Sequence, residues 1–301
     1  MSIVYLGTSE FAAQVLGGLA AADHAPGLVV TPPDRPRGRG QRLASPPAAE
    51  AARELGIELL QAGGVNDRAA VERIRAAEPR LGVVCAFGQL IREPLLSELP
   101  LLNVHPSLLP WWRGAAPIER AIAAGDAETG VTIMRVTEGL DSGPIALRES
   151  LAVGDDDFGA LAPRLARLGA ELAVRALDRS AAGTLEWTEQ DDNVATYAEK
   201  IRPEERRLDP GQPARELALW VRALTPHLGA YLELRDGERL GVRGAAAEPG
   251  TGPPGELEVI GDALRLACSP GRLRIELVQP AGGRPMGVGA YLRGHPPPRL
   301  S

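Results

Sequence analysis

Asn103 and His105 stand two residues apart at the end of a short apolar run, LLNVH. On a β-strand, residues at this spacing project from the same face. An amide donor beside an imidazole can polarise a carbonyl group and stabilise a negatively charged oxygen, and the imidazole can also exchange a proton near neutral pH. For these two residues alone, a hydrogen-bonded structural pair is the simpler interpretation.

Asp141 lies in the sequence GLDSGPI, between two predicted strands. Asp-Ser-Gly is common in turns, so one interpretation is an Asx-type turn that joins the strands. The other is a carboxylate that meets His105 from a neighbouring loop and helps to accept a proton. The spacing in the sequence leaves both open.

Predicted strands and helices alternate through the N-terminal part of the chain. SIVYLG is predicted as a buried strand, and Ser9 is the expected N-cap of the helix that follows. The unbroken apolar runs GLVVT and LGVVCAF are typical of buried parallel strands. This β–α alternation predicts an α/β fold with a doubly wound, mostly parallel sheet, and FGALAPRLARLGAELAVRALDRSA is the long helix that closes it.

The C-terminal part has a different pattern. After a predicted helix, ARELALWVRAL, short β segments are separated by Gly and Pro turns, a spacing typical of a small barrel. We therefore expect an α/β domain over residues 1–189, a polar linker over 190–206 and a smaller OB-like β-barrel domain over 207–301.

The segment PPDRPRGRGQRLASPP interrupts the first domain. Its Pro and Gly residues predict an exposed loop without helix or strand. A solvated insertion with incidental charge is the simpler interpretation, but guanidinium groups on a loop also suit contact with nucleic-acid phosphates. The arginines concerned are Arg35, Arg37, Arg39 and Arg42.

Composition excludes several classes of protein. No run approaches eighteen apolar residues and the N-terminus has no basic region, so we expect neither a membrane span nor a signal peptide. Four scattered histidines predict no metal site, and Cys85 and Cys268 are expected to be reduced core residues. The net charge of −6 argues against a general nucleic-acid coat, although residues 206–301 hold 13 arginines against 10 acidic residues.

Several motifs occur together in one order: AFGQLI, NVHPSLLP, WRGAAPI, GDAETGVTIM and GLDSGPI. In this order they resemble the folate-dependent formyltransferases, which formylate glycinamide ribonucleotide, amino sugars or methionyl-tRNA. The basic loop TPPDRPRGRGQRL, the sequence TYAEK and the C-terminal β domain are similar to the branch that acts on initiator methionyl-tRNA. The resemblance implies a formyltransferase-like variant of the Rossmann fold.

The resemblance also implies roles for single residues. Asn103, His105 and Asp141 match the catalytic trio: the first two would hold the formyl oxygen of 10-formyltetrahydrofolate, and Asp141 would sustain the charge of His105 and assist proton removal. The arginine-rich loop would enter the tRNA acceptor stem, with Arg39 the best match to the family's functional arginine. The folate pocket would be lined by Phe87, Gly88, Gln89, Leu90 and Ile91 of AFGQLI and by Ser107, Leu108, Leu109 and Pro110 of SLLP.

One residue departs from the family pattern. Trp111 stands where the family usually has Arg, and it could pack, lie on the surface or stack on a terminal base. The expected protein is a cytoplasmic monomer that binds folate and initiator methionyl-tRNA without a membrane or a metal. The alternatives are a formyltransferase for a nucleotide sugar or glycinamide ribonucleotide, and a noncatalytic tRNA- or folate-binding protein.

Overall fold

The computed structural model describes residues 2–37, 42–235 and 237–300, and the chain divides into two units. The first unit is formed by Met1–Gly114, Glu128–Ala152 and Ala162–Tyr197, and the second by Ala115–Ala127, Val153–Leu161 and Ala198–Ser301. Up to residue 198 the strands are β1 (Ile3–Gly7), β2 (Leu28–Thr31), β3 (Arg35–Arg37), β4 (Arg42–Ala44), β5 (Leu59–Gln61), β6 (Leu81–Cys85), β7 (Leu101–His105), β8 (Arg113–Gly114), β9 (Glu128–Arg135), β10 (Ile145–Ala152) and β11 (Tyr197–Ala198). The helices are α1 (Glu10–Ala21), α2 (Pro47–Glu54), α3 (Arg68–Ala76), α4 (Leu95–Glu98), α5 (Pro117–Ala124) and α6 (Phe158–Ala181).

Seven strands form the main sheet, in the order β10-β9-β7-β6-β1-β2-β5. The pairs among β5, β2, β1, β6 and β7 are parallel, whereas β9 runs antiparallel to both β7 and β10. The mostly parallel, doubly wound arrangement predicted from the sequence is confirmed. Strands β1, β2 and β6 are buried along their length because helices cover the sheet, which explains their unbroken apolar runs.

Local sequence signals position the elements around strand β7, which lies inside the sheet between β6 and β9. Ser9 caps α1 by accepting a hydrogen bond from the Ala12 N–H, as predicted. Gly169 of α6 lies against β7, and a Cβ at this residue would stand 2.9 Å from Val104 Cγ1. A glycine is therefore required where the long helix meets the strand that carries Asn103 and His105.

The arginine-rich segment differs from its prediction. Its composition predicts a loop without regular structure, but Arg35–Arg37 and Arg42–Ala44 pair as the antiparallel hairpin β3–β4. Pro36 is tolerated because a two-stranded ribbon leaves one side of each strand without ladder partners. Residues 38–41, which include Arg39, lie outside the described residues.

The second unit contains α7 (Ala214–Leu224), α8 (Val288–Gly294) and an antiparallel sheet. The strands are β12 (Ala230–Glu233), β13 (Arg239–Glu248), β14 (Leu257–Ile260), β15 (Ala263–Ala267), β16 (Arg272–Gln279) and β17 (Met286–Gly287). They pair in the order β12-β13-β16-β15-β14, with β17 on β16. The predicted smaller β domain is confirmed, and its closure into an OB-like barrel stays a prediction.

The core of this unit lies between its sheet and α7. Leu217 and Val221 on α7 pack with inward-facing strand residues such as Val242 and Ile275.

Short 3₁₀ turns at Asp192–Val194 and Pro203–Arg206 fall in the segment predicted as a linker. Helix α5 belongs to the second unit, where it packs against α7.

Candidate active site

The end of β7 carries the two residues singled out from the sequence. Asn103 and His105 pair with Met134 and Thr132 of β9, and Asn103 also lies opposite Val84 of β6. The imidazole is almost fully buried, with 5% of its side chain exposed. Because β7 is held on both sides by strand pairing, the backbone beneath both side chains is fixed.

Asp141 reaches this strand end from the turn between β9 and β10. Its Oδ1 accepts a hydrogen bond from Asn103 Nδ2 at 3.2 Å, and its Oδ2 accepts one from the Gly114 N–H at 2.9 Å. The same Oδ2 lies 3.7 Å from His105 Nδ1. The structure therefore brings the predicted trio together, and the carboxylate faces the imidazole as the second interpretation of GLDSGPI required.

The hydrogen bonds of His105 decide which ring nitrogen carries a proton. Nε2 lies 2.9 Å from the carbonyl oxygen of Trp112. A carbonyl can only accept, so Nε2 must donate, and Nδ1 is the nitrogen left to face Asp141 and a substrate. A second proton on Nδ1 would give an imidazolium directly beside the carboxylate.

The SLLP bend after β7 is built into the sheet. Ser107 is buried; its hydroxyl donates to the Trp111 carbonyl at 2.6 Å, and its own carbonyl accepts from Thr132 Oγ1 at 2.7 Å. The Leu109 N–H donates to the same Thr132 hydroxyl. Leu108 packs over Gly130, where a Cβ would stand 2.5 Å from a methyl carbon of the leucine. Thr132 of β9 thus anchors the bend that follows His105.

The AFGQLI segment combines buried anchors with an exposed end. Phe87 is buried, and its carbonyl accepts a hydrogen bond from Thr8 Oγ1. The Gln89 amide is occupied by backbone partners, accepting from the Val65 N–H at 2.8 Å and donating to the Ala62 carbonyl at 3.1 Å. Gly88 adopts the left-handed region at φ 74°.

A cavity of about 430 Å³ opens beside the exposed end of this segment. Leu90 and Ile91 line it, together with Leu96 of α4 and Glu138, which precedes Asp141 by three residues. Apolar side chains with a few charged groups are the usual lining of a small-molecule site of this size. Of the predicted folate-contacting residues, Leu90 and Ile91 are therefore at a cavity, whereas Gln89, Ser107 and Leu109 are bound within the protein.

Two residues that sequence reasoning did not select also belong to the site. Gln190 Nε2 donates to the carbonyls of Asp141 and Gly143, and Arg113, itself buried, donates to Gln190 Oε1. Gln190 lies in a polar stretch that was assigned to the linker. No pattern in the sequence marks it, because its partners are backbone atoms almost fifty residues away.

Trp111 is half exposed, with 49% of the residue accessible. Its backbone is fixed on both sides, since its N–H donates to the Leu108 carbonyl and its carbonyl accepts from Ser107. The next residue, Trp112, has φ 60°, and its N–H donates to Thr196 Oγ1 at 2.8 Å. The indole of Trp111 therefore stands at the surface, one residue from the carbonyl that holds His105.

Both cysteines are buried and free, as predicted. Cys85 ends β6, one strand from His105, and burial raises the pKa of its thiol to about 12. Such a thiol stays protonated and unreactive. Among the described residues, no group of three or more His, Cys, Asp or Glu side chains is arranged to hold a metal ion, and no helix in the same ranges is long and apolar enough to cross a membrane.

Comparison with known proteins gives the family. The model of the formyl transferase family matches residues 1–177, and the model of the formyl transferase C-terminal domain matches residues 200–296. The methionyl-tRNA formyltransferase of Pseudomonas paraeruginosa is 43% identical over 290 residues, covering 95% of this chain and 93% of the relative. That of Methylococcus capsulatus is 43% identical over 300 residues, covering 98% and 97%. The chain belongs to the methionyl-tRNA formyltransferase family. The resemblance drawn from the motifs is thereby confirmed, and so is the assignment of the chain as a formyl-transferring enzyme.

Solved structures share the fold of this family at low sequence identity. HypX from Aquifex aeolicus in complex with tetrahydrofolic acid has a TM-score of 0.65 and 18% identity, covering 98% of this chain and 47% of its own. The sugar 3N-formyl transferase WlaRD, solved with dTDP and 5-N-formyl-THF, has a TM-score of 0.66 and 14% identity, covering 91% and 97%. These likenesses support the fold and carry no argument about the acceptor.

Proposed function

We propose that this protein transfers the formyl group of 10-formyltetrahydrofolate to the α-amino group of methionine on initiator methionyl-tRNA. The observation that carries the proposal is the meeting of Asn103, His105 and Asp141 at the end of β7, in a chain of the methionyl-tRNA formyltransferase family. The acceptor follows from relatives that match nearly the whole chain.

Asn103 and His105 are proposed to bind the formyl oxygen while the amine attacks the formyl carbon. One Asn103 N–H is used by Asp141, which leaves the second for the substrate. Negative charge grows on the formyl oxygen during attack, and fixed donors there stabilise the transition state more than the ground state. His105 Nδ1, on the side of the ring away from Trp112, is the second donor when it carries the additional proton that makes the ring an imidazolium.

Asp141 is proposed to sustain a positive charge on His105 and to assist removal of the proton from the attacking amine. Its Oδ2 is close enough to Nδ1 for a strong electrostatic interaction, in a site that is largely shielded from water. The amine must be neutral to attack, so the reaction is expected to slow on the acid side.

10-Formyltetrahydrofolate supplies the one-carbon group. The cavity beside Leu90, Ile91 and Leu96 is proposed to receive the bicyclic ring, because these three residues give it an apolar side and its volume lies within the range of small-molecule sites. Arg92 and Glu138 add polar atoms that can orient ring nitrogens. The resemblance implies that Phe87, Gly88 and the SLLP bend also line the folate pocket; they are not among the residues that line this cavity, and their contact with folate stays a prediction.

The arginine-rich hairpin is proposed to contact the tRNA acceptor stem. Arg35 is exposed, and the neighbouring Asp34 carboxylate is engaged by Gln61 Nε2 at 2.6 Å. This hydrogen bond and one from Ser45 lower the pKa of Asp34. Arg37 and Arg42 occupy paired backbone positions, and Arg39, the expected functional arginine, lies between them in sequence, outside the described residues. Guanidinium groups suit phosphate contacts of this kind.

The proposal divides the work along the chain. Residues 1–189 would supply the chemistry, residues 190–206 would link the parts, and residues 207–301 would help to hold the tRNA. We expect a cytoplasmic protein, because charged initiator tRNA is used where translation takes place, and its monomeric state stays a prediction.

The choice of acceptor is tested directly. Purified protein is incubated with 10-formyltetrahydrofolate and either methionyl initiator tRNA, glycinamide ribonucleotide or an amino-sugar nucleotide. We expect formylation of the tRNA alone. Formylation of the small amines without the tRNA would contradict the proposed acceptor, and binding of tRNA and folate without turnover would favour a noncatalytic role.

A further inference from the structure

The turn that carries Asp141 is held by one side-chain amide. Gln190 Nε2 donates to the Asp141 carbonyl at 2.9 Å and to the Gly143 carbonyl at 2.7 Å. These two acceptors lie on either side of Ser142, so both hydrogens of the amide are used to close the same turn.

A buried arginine fixes which way this amide points. Arg113 donates to Gln190 Oε1 through Nε at 3.1 Å and through Nη2 at 2.8 Å. Its guanidinium is 3% exposed and also pairs with Asp192 at 2.7 Å. Arginine has no acceptor, so the oxygen of the amide must face Arg113 and the NH₂ must face the turn.

The turn needs such support because its backbone is unfavourable. Asp141 has φ 45°, in the left-handed region, which costs energy for residues with a Cβ, although Asp and Asn tolerate it best. Gly143 lies so close to β9 that a Cβ there would stand 2.1 Å from the Arg135 carbonyl oxygen. Backbone of this kind persists when surrounding contacts over-determine it, and it is frequent at active sites.

We infer that Gln190 is a positioning residue for catalysis, which holds the carboxylate of Asp141 at His105 through two hydrogen bonds to the turn. The inference rests on the proposed role of Asp141 in formyl transfer. Without the amide, the turn can relax toward ordinary backbone angles, and Oδ2 would then move from its place beside the Gly114 N–H and His105 Nδ1. Loss of Gln190 therefore acts on turnover through Asp141.

The competing interpretation is that Gln190 only attaches residues 185–197 to the rest of the first unit. Gln190→Glu separates the two. A carboxylate keeps the acceptor that Arg113 needs and strengthens that pair, so the attachment survives. Its second oxygen, however, faces two carbonyl oxygens and can donate to neither.

The experiment is a double-mutant cycle with Asp141→Asn, measured as kcat for formylation of methionyl initiator tRNA. Two lost hydrogen bonds correspond to a fall in kcat of about 30-fold for Gln190→Glu, with both KM values within about threefold of the starting protein. In the Asp141→Asn background the same substitution should cost less than about threefold, because its target has already been removed. The exposed neighbour Glu189, changed to Gln, is the matched control.

Each result has one meaning. Additive effects in the cycle, or a Gln190→Glu enzyme with unchanged kcat, would overturn the inference while leaving the role of Asp141 intact. Full activity of Asp141→Asn itself would instead refute the proposed trio. If Gln190→Glu does not fold, the double variant Arg113→Met/Gln190→Met removes the buried guanidinium and its partly buried partner together, and the NMR signal of the His105 ring should move toward its position in Asp141→Asn.

Discussion

Replacing Asp141 with Asn tests the electrostatic part of the mechanism. The change keeps the shape of the side chain but removes a negative charge whose Oδ2 lies 3.7 Å from His105 Nδ1. At this distance two unit charges interact by about 1 kcal/mol in water and about 4 kcal/mol at an effective dielectric constant of 20. Asp141 is 17% exposed and His105 5%, so the upper part of this range applies. We expect kcat to fall by about two to three orders of magnitude.

Hydrogen bonding reinforces this loss. The two carboxylate oxygens accept from Asn103 Nδ2 and from the Gly114 N–H. An amide offers only one acceptor, so its NH₂ must face one of these donors.

Single-turnover formylation of methionyl initiator tRNA, with enzyme in excess, measures the chemical step. The matched control is Asp178→Asn, which removes a carboxylate that lies 3.0 Å from His24 Nε2. This pair is at the surface, where 64% of the Asp178 side chain is exposed. This control should leave turnover unchanged, because exposed pairs contribute little. A kcat for Asp141→Asn within twofold of the starting protein would refute the proposed role of the carboxylate.

Three further predictions follow from the same structure. Asn103→Ala removes one proposed donor to the formyl oxygen, which corresponds to a loss of about 2.7–4 kcal/mol of transition-state stabilisation, so kcat should fall by about 10²–10³. The affinity for tRNA, measured by filter retention, should stay the same, and an equal loss of that affinity would contradict the prediction. Arg35→Ala should raise the KM for tRNA and reduce the slope of log affinity against log salt by about one, with folate KM unchanged, whereas exposed Arg80→Ala should do neither. Burial raises the pKa of the Cys85 thiol from 9.0 to about 12, so between these pH values the thiol ionises only in the unfolded chain. The free energy of unfolding should therefore fall by up to about 1.4 kcal/mol per pH unit above pH 9. Urea titrations should show this fall for the starting protein, and the contribution of the thiol to it should be missing in Cys85→Ala.

The parts of the fold that were predictable carry strong local signals. The bounds of α6 and α7 agree with the sequence prediction because apolar residues recur along both at helical spacing. Strand β7 and its polar residues Asn103 and His105 were predictable for a similar reason. An apolar run that ends in polar residues is typical of the carboxyl end of a strand in a parallel sheet.

Two elements were not predictable in this way. The β3–β4 hairpin forms in a segment whose Pro and Gly residues predict a loop. Composition could not reveal it, because the hairpin depends on which residues stand opposite each other, and only three pairs do so. Helix α5 belongs with α7 in the second unit although its own pattern shows only an amphipathic face. Periodicity reports that a face is buried, but not what covers it.

Trp111 shows how the site can keep its geometry while one of its residues departs from the family. The contacts that Trp111 makes to Leu108 and Ser107 use only its backbone N–H and carbonyl, which any residue except proline could supply. The bend that places the Trp112 carbonyl on His105 therefore does not require the arginine that the family usually has here. The side chain at this position is half exposed, and base stacking by the indole stays a prediction: a flat indole can stack on a base where a guanidinium would contact a phosphate. In the proposed mechanism the chemistry is carried by Asn103, His105 and Asp141, and we expect variation at Trp111 to alter contact with the tRNA and to leave this trio in place.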